Sequence, residues 1–363
     1  MSCVADLASQ PHAAGGPRVI VAGATGFTGA LAAHLLWRHP DFELVAVTGR
    51  SELGRPLQDI YPRYRVPLAI ESLEVERLQD VDAAVVAYPH AAAAPTVGAL
   101  RERGIRVVDL SADFRLGSLS AYERWYGPHP RPDLLADAVY GLTELHRERI
   151  AGAAIVANPG CYPTASLLAL APLARAGLIA DVVIDAKQGI SGAGRVFDET
   201  THLSMAGENI VPYKVAAHRH TPEIEEQLGL LIGSAGSAGA AAGSAVATPG
   251  ELRVQFQAHL VPLDQGEMAS CYVTTTRPVV AEDLRGMYAD AYDDEPFVEV
   301  VGQPPGVLEV RETNYCRVFA AADEHTGKVI AFGAIDNLWK GTSSQAVQNL
   351  NLMFDLPEAR GLL

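Results

Sequence analysis

Gly23-Ala24-Thr25-Gly26-Phe27-Thr28-Gly29 follows the apolar run Arg18-Val19-Ile20-Val21-Ala22 and precedes residues 30–38, which have helical character. The three β-branched residues and the alanine of the run fit a strand buried on both faces, as in a parallel sheet. Glycines three apart let a backbone approach a pyrophosphate closely. The helix that follows offers unpaired N–H groups and a partial positive charge to the phosphates. A glycine triplet alone is a weak signal, because turns also use glycine. Strand before and helix after make it a dinucleotide loop.

The strand-like run Glu43–Thr48 ends in Thr48-Gly49-Arg50-Ser51, with Arg55 close behind and no acid at the tip. A site for NAD usually holds Asp or Glu there for the ribose hydroxyls. An arginine and a hydroxyl suit a 2′-phosphate instead, so NADP(H) is the expected cofactor, with Arg50 and Ser51 as its contacts. A solvated loop arginine is the plainer alternative. Tyr88-Pro89-His90 follows another buried strand and is placed at the cofactor crevice, although a capping role accounts for His90 equally well.

Strand-like runs at 81–87 and 106–110, with a helical stretch at 91–103 between them, continue the alternation to about residue 157. Alternating strands and helices predict a doubly wound parallel sheet of the Rossmann type. Beyond that point a helix over 163–176 leads to runs at 182–186, 251–259, 268–276, 297–301 and 317–322. Few helices separate the last four, which predicts a mainly antiparallel sheet in an α+β domain. The expected division is a disordered extension (1–17), a nucleotide-binding domain (18–157), an α+β domain (158–335) and a segment returning to the first domain (336–363). Residues 233–250 are nearly all Gly, Ala and Ser and read as a flexible surface insertion.

Composition narrows the classes. Hydrophobic residues make up 48% of 363, enough for a sizeable core. The net charge of −15 disfavours nucleic acid and anionic membranes as partners. Four cysteines are too few for a disulfide scaffold, and no apolar run reaches the ~18 residues of a membrane span. These features predict a cytoplasmic protein.

Cys161 lies in Asn158-Pro159-Gly160-Cys161-Tyr162-Pro163-Thr164. Pro163 reads as a first helical residue, so Cys161 is expected just outside a helix N-terminus, where the dipole favours thiolate. Cys271 and Cys316 fall in strand-like runs and Cys3 in the N-terminal stretch; they read as ordinary thiols. His218-Arg219-His220-Thr221-Pro222-Glu223-Ile224 supplies a proton carrier. Thr221 reads as an N-cap, so His220 faces a helix start that disfavours imidazolium; His220 is preferred to His218 as acid and base. No acid or cysteine set at ligand spacing accompanies the pair, and no metal is expected.

At these motifs the chain resembles the N-acetyl-γ-glutamyl-phosphate reductases, NADP-dependent semialdehyde dehydrogenases of arginine biosynthesis. Asp109-Leu110-Ser111-Ala112-Asp113-Phe114-Arg115, Tyr140-Gly141-Leu142-Thr143-Glu144, Ser191-Gly192-Ala193-Gly194-Arg195 and Asp336-Asn337-Leu338-Trp339-Lys340-Gly341 belong to the same resemblance, in order from about residue 18 to 352. It implies attack of Cys161 on an acyl phosphate, a thioester, its reduction by hydride and protonation by His220. It further implies that Ser191, Gly192, Ala193, Gly194, Asn337, Lys340 and Gly341 approach the cofactor. Ser111, Arg115, Tyr140, Glu144, Asn158 and Arg195 are implied around a small anionic substrate, although each arginine taken singly suits a structural ion pair as well. A homodimer or homotetramer is expected. Two rivals differ in chemistry: a related reductase acting on a carrier-bound substrate in lysine biosynthesis, and a non-catalytic nicotinamide-binding sensor that needs no activated cysteine.

Overall fold

The computed structural model describes residues 15–195, 198–239 and 252–363. Among the described residues, 15–159 together with Thr342–Leu363 form one compact unit, and those within 160–341 form a second.

The first unit carries β1 (Arg18–Ala22), α1 (Phe27–Arg38), β2 (Glu43–Thr48), α2 (Leu57–Ile60), β3 (Ile70–Glu71), β4 (Ala83–Val86), α3 (Ala93–Glu102), β5 (Arg106–Asp109), α4 (Leu119–Tyr126), β6 (Ala138–Tyr140), α5 (Thr143–Ala151) and β7 (Ile155–Ala157). The sheet order is β3-β2-β1-β4-β5-β7-β6, with every pairing parallel. Val19, Ile20, Val21 and all four residues of β4 have no exposed surface, as strands covered by helices on both faces require. The order turns between β1 and β4, which opens a crevice at their carboxyl ends.

Helix α1 begins at Phe27, earlier than the expected residue 30, because the glycine loop turns directly into it. Gly29 sits in its first turn. A Cβ there would lie 2.2 Å from the carbonyl oxygen of Gly23, so only glycine lets the helix tuck onto the strand.

The second unit carries α6 (Cys161–Arg175), β8 (Ile179–Gly189), α7 (Leu203–Ala206), β9 (Val211–Tyr213), α8 (Thr221–Gly239), β10 (Val254–Val261), β11 (Glu267–Thr275), α9 (Ala281–Tyr292), β12 (Val298–Val300), β13 (Cys316–Asp323) and β14 (Lys328–Ile335). The sheet order is β12-β13-β14-β11-β8-β10-β9. Four of its six pairings are antiparallel; β8 with β10 and β12 with β13 are parallel. Helix α6 is buried from Tyr162 to Ala174 and forms the core against this sheet. Pro172 inside it has no N–H for the carbonyl of Leu168, and the hydroxyl of Tyr292 on α9 donates to that oxygen instead.

Residues 233–239, expected as part of a flexible insertion, continue α8 to Gly239. Extending a formed helix adds one hydrogen bond per residue, while nucleating one is costly. Ile224, Leu228 and Ile232 anchor its first turns in the core. The rest of that stretch and residues 1–14, expected as an extension, lie outside the described residues.

After the second unit, α10 (Ser344–Met353) packs in the first. Asn349 donates to the carbonyl of Gly141 and to Oδ1 of Asn158, and Arg106 stacks over Phe354 at 4.9 Å. Among the described residues no helix is long and apolar enough to cross a membrane.

Candidate active site

In the first unit, the amides of Gly23 and Ala24 both donate to the carbonyl of Thr48, tying the glycine loop to the tip of β2. Gly26 caps α1 without a side-chain bond, and no acid stands in the first turn, so the helix start is electrostatically suited to phosphate. Phe27 packs edge-on to Tyr61, whose hydroxyl donates to the Thr25 carbonyl; Thr28 accepts from Ser343.

Past the β2 tip, the Arg50 guanidinium lies 4.9 Å over the ring of Tyr88. Both line a cavity of about 510 Å³ with Gly49, Leu53, Ser72 and Thr96. Ser51 and Pro89 are exposed. Arg55 bonds Glu52 at 2.6 Å and also donates to the carbonyl of Asp59; Glu52 is the one acid within residues 48–55. His90 packs edge-on to Tyr126.

In the second unit, Cys161 is the first residue of α6, with Gly160 as N-cap, so the helix starts two residues earlier than the sequence suggests. Buried Glu223, on the first turn of α8, accepts the Gly160 amide at 2.8 Å and so holds the loop that aims the cysteine. Gln188 Nε2 donates to Cys161 Sγ at 3.0 Å. Gly192 leaves room for it: a Cβ there would meet the Gln188 carboxamide at 2.1 Å and displace that side chain. Gly341 lies against Cys161 in the same way, its hypothetical Cβ 2.9 Å from the cysteine Cβ.

Cys161, Gln188, Gly192, Ala193, Lys214 and both histidines of the His-Arg-His motif line one cavity of about 520 Å³. Helix α8 starts at Thr221, and the carbonyl of His220 accepts from Ile224, so His220 itself occupies the cap position expected for Thr221. His218 is buried against Tyr162, Tyr213 and Phe256, and its Nδ1 accepts the backbone amide of His220. Burial first, then the charges of Lys214 and Arg219, pull its pKa down to about 3. His218 is a neutral prop, and His220 is the half-buried ring of the pair.

The other expected residues divide by place. Ser191 is buried, donates to the carbonyl of Asp264 and accepts from Asn337 Nδ2, while Asn337 Oδ1 accepts the Gly266 amide. The amides of Ser191 and Gly194 are spent within that turn, on Asp264 and Ser191. Lys340, expected near the cofactor, has no exposed surface and lies 5.7 Å from the Phe297 ring centre. Arg195 is exposed. In the first unit, Ser111 binds the Asp109 carboxyl through amide and hydroxyl, and Arg115 donates to the carbonyls of Asn158 and Leu110. Asn158 bonds Thr342 and Asn349, Tyr140 packs on His146, and buried Glu144 accepts from Gln348. These polar groups of Ser111, Arg115 and Asn158 are bonded inside the fold.

Residues 18–153 match the semialdehyde dehydrogenase NAD binding domain, and residues 161–337 match the semialdehyde dehydrogenase dimerisation domain. The chain belongs to the semialdehyde dehydrogenase family. An N-acetyl-gamma-glutamyl-phosphate reductase from Desulforudis audaxviator is 47% identical over 95% of this chain and 98% of its own length. One from Moorella thermoacetica is 44% identical over 94% and 96%. In fold, the chain is similar to aspartate semialdehyde dehydrogenase II of Vibrio cholerae complexed with ASA, with a TM-score of 0.69 at 19% identity over 93% of this chain and 98% of that one. The Candida albicans enzyme with NADP has a TM-score of 0.65 at 16% identity over 96% and 100%.

Within this family member, sequence reasoning passed over Gln188, Glu223, Lys214 and Glu267. Glu223 was legible as part of the histidine motif; Gln188 and Glu267 gain meaning only from strand pairing, in which they stand opposite each other.

Proposed function

We propose that the protein reduces N-acetyl-γ-glutamyl phosphate, the compound in the names of its relatives, to N-acetylglutamate 5-semialdehyde and phosphate, with NADPH as reductant. The observation that carries this is Cys161 at the first residue of α6, in one cavity with His220 and with its sulfur bonded by Gln188.

The glycine loop fits a pyrophosphate. A Cβ on Gly23 would lie 2.7 Å from the carbonyl oxygen of Ala87, so the turn out of β1 needs glycine there, while a Cβ on Gly26 would meet nothing nearer than 3.8 Å, which leaves the start of α1 open to a phosphate. Arg50 beside Tyr88 suits a 2′-phosphate and an adenine ring. Bound there, NADPH supplies hydride chemistry; the protein supplies position and charge.

The helix start and the Gln188 amide favour sulfur as thiolate. The thiolate attacks the acyl carbon, a C–S bond forms, and the C–O bond breaks with its pair leaving on phosphate, which takes up one proton from water. After reduction of the thioester, His220 protonates the oxyanion. It takes that proton back as the C–S bond breaks, the pair returns to sulfur, and the aldehyde leaves. Lys214, lining the cavity, and Arg195 from the family motif are the cations assigned to the anionic substrate. The assignment includes cytoplasmic residence and a homo-oligomer, which sedimentation tests: a concentration-independent species of 38.5 kDa would exclude assembly.

The test follows NADPH formation from N-acetylglutamate semialdehyde, NADP and phosphate, in wild type and Cys161→Ser. Strict phosphate dependence in wild type and a dead variant are expected. A wild type that binds NADP but ignores the free semialdehyde overturns the reading in favour of a carrier-bound substrate.

A further inference from the structure

Gln188, near the end of β8, and Glu267, the first residue of β11, stand opposite each other and meet beside the sulfur of Cys161. The Gln188 amide nitrogen is 3.0 Å from Sγ and 2.8 Å from Glu267 Oε2. An amide nitrogen has two protons, so one carboxamide serves both acceptors. The other carboxyl oxygen, Oε1, is buried without a hydrogen-bond partner, and Glu267 has no exposed surface.

A bare carboxylate is poorly placed there. Cys161 and Tyr162 from α6, Tyr213 from β9 and Asp336 after β14 act on Glu267 or feel it, and the Asp336 charge opposes its ionisation. Burial, reinforced by the Asp336 charge, raises the Glu267 carboxyl to about 8, against the bonds from Cys161 and Gln188 that favour its ionised form.

We propose that Glu267 works as a carboxylic acid whose O–H hydrogen-bonds the sulfur of Cys161. With Gln188 it holds the thiolate before attack and receives it again when the C–S bond breaks. The proposal rests on the thioester reading above. Its proton balance is closed: the carboxyl keeps its proton throughout, the sulfur starts and ends as thiolate, and the proton that moves at the substrate oxygen belongs to His220. Ionising Glu267 removes a donor and sets an anion beside the thiolate and an anionic substrate. Turnover therefore falls by roughly fivefold between pH 8 and 9 from this one ionisation.

The test is the rate of Cys161 alkylation by iodoacetamide against pH, read from the mass of the Cys161 peptide, which needs no turnover. Two coupled groups give two steps: one as thiolate forms, and one near pH 8 as Glu267 ionises and leaves the sulfur more reactive. Glu267→Gln keeps a donor but cannot titrate; it is expected to show a single step and to lose the alkaline fall in turnover. Should that variant fail to fold, infrared difference spectra of wild type decide. A carboxylic-acid carbonyl band that shifts on alkylation of Cys161 and titrates near pH 8 supports the proposal. A single step in both proteins, or no such band, overturns it. Two steps without acyl-phosphate turnover overturn the proposed function and leave Glu267 in place; strict turnover with one step does the reverse.

Discussion

His218 and His220 lie two residues apart and meet different surroundings. His218, held neutral by burial, cannot carry a proton near pH 7; His220 lines the cysteine cavity at the cap of α8. His220→Asn is expected to lower kcat by about 10²- to 10³-fold, the usual size of a lost acid–base group. His218→Asn is expected to act mainly through the placement of its neighbour, with a loss under tenfold that is shared between kcat and KM; steady-state kinetics separates the two. Arg50→Ala should raise KM for NADPH by about 10- to 100-fold and leave KM for NADH nearly unchanged, since a charge-assisted bond is worth about 1.5–3 kcal/mol. At this scale the motifs were legible because they carry special residue types at fixed spacing. Ser111, Arg115 and Asn158 belong to the same motifs, yet their polar groups hold backbone and side-chain partners inside the first unit, which spacing alone cannot reveal.

Helix α6 shows how an element aims a nucleophile. Its N-terminus is fixed by Glu223 and its interior carries Pro172, whose missing donor is replaced by the Tyr292 hydroxyl. Tyr292→Phe leaves the Leu168 carbonyl buried and unpaired, at a cost of about 1–3 kcal/mol in chemical denaturation. An unchanged midpoint and slope would show that the bond does not count. The first sheet was readable because buried parallel strands alternate with helices. In the second, Lys328–Ile335 has no place among the expected strands, and Gly333 interrupts its apolar run. That glycine is there because a Cβ would strike the Ala165 carbonyl oxygen of α6 at 2.2 Å. Gln188 and Glu267 are 79 residues apart, and only the β8–β11 register brings them together.

For the whole molecule, buried titrating groups set the pH dependence of stability. Burial raises the Asp109 carboxyl from 3.8 to about 7, against the bonds from Ser111. The folded state keeps this proton where the unfolded chain releases it, so the contribution is fully present below pH 3.8 and is lost by about pH 7. His218 acts in the opposite sense: it stays neutral when folded, so its contribution is present above pH 6.5 and is lost as pH falls toward 3. Asp109→Asn should flatten the wild-type decline on raising pH toward 7 by about 1 kcal/mol per pH unit, seen as the difference between two urea denaturation series. Parallel curves would show that Asp109 ionises freely in the fold.

The thioester is the claim on which the rest depends. Wild type mixed with N-acetyl-γ-glutamyl phosphate in the absence of NADPH should release phosphate and gain one N-acetylglutamyl group, and mass spectrometry of the digested protein should locate it on Cys161. Cys161→Ser should release none on that timescale. Phosphate release with no adduct, or an adduct on any other residue, would contradict a thioester on Cys161.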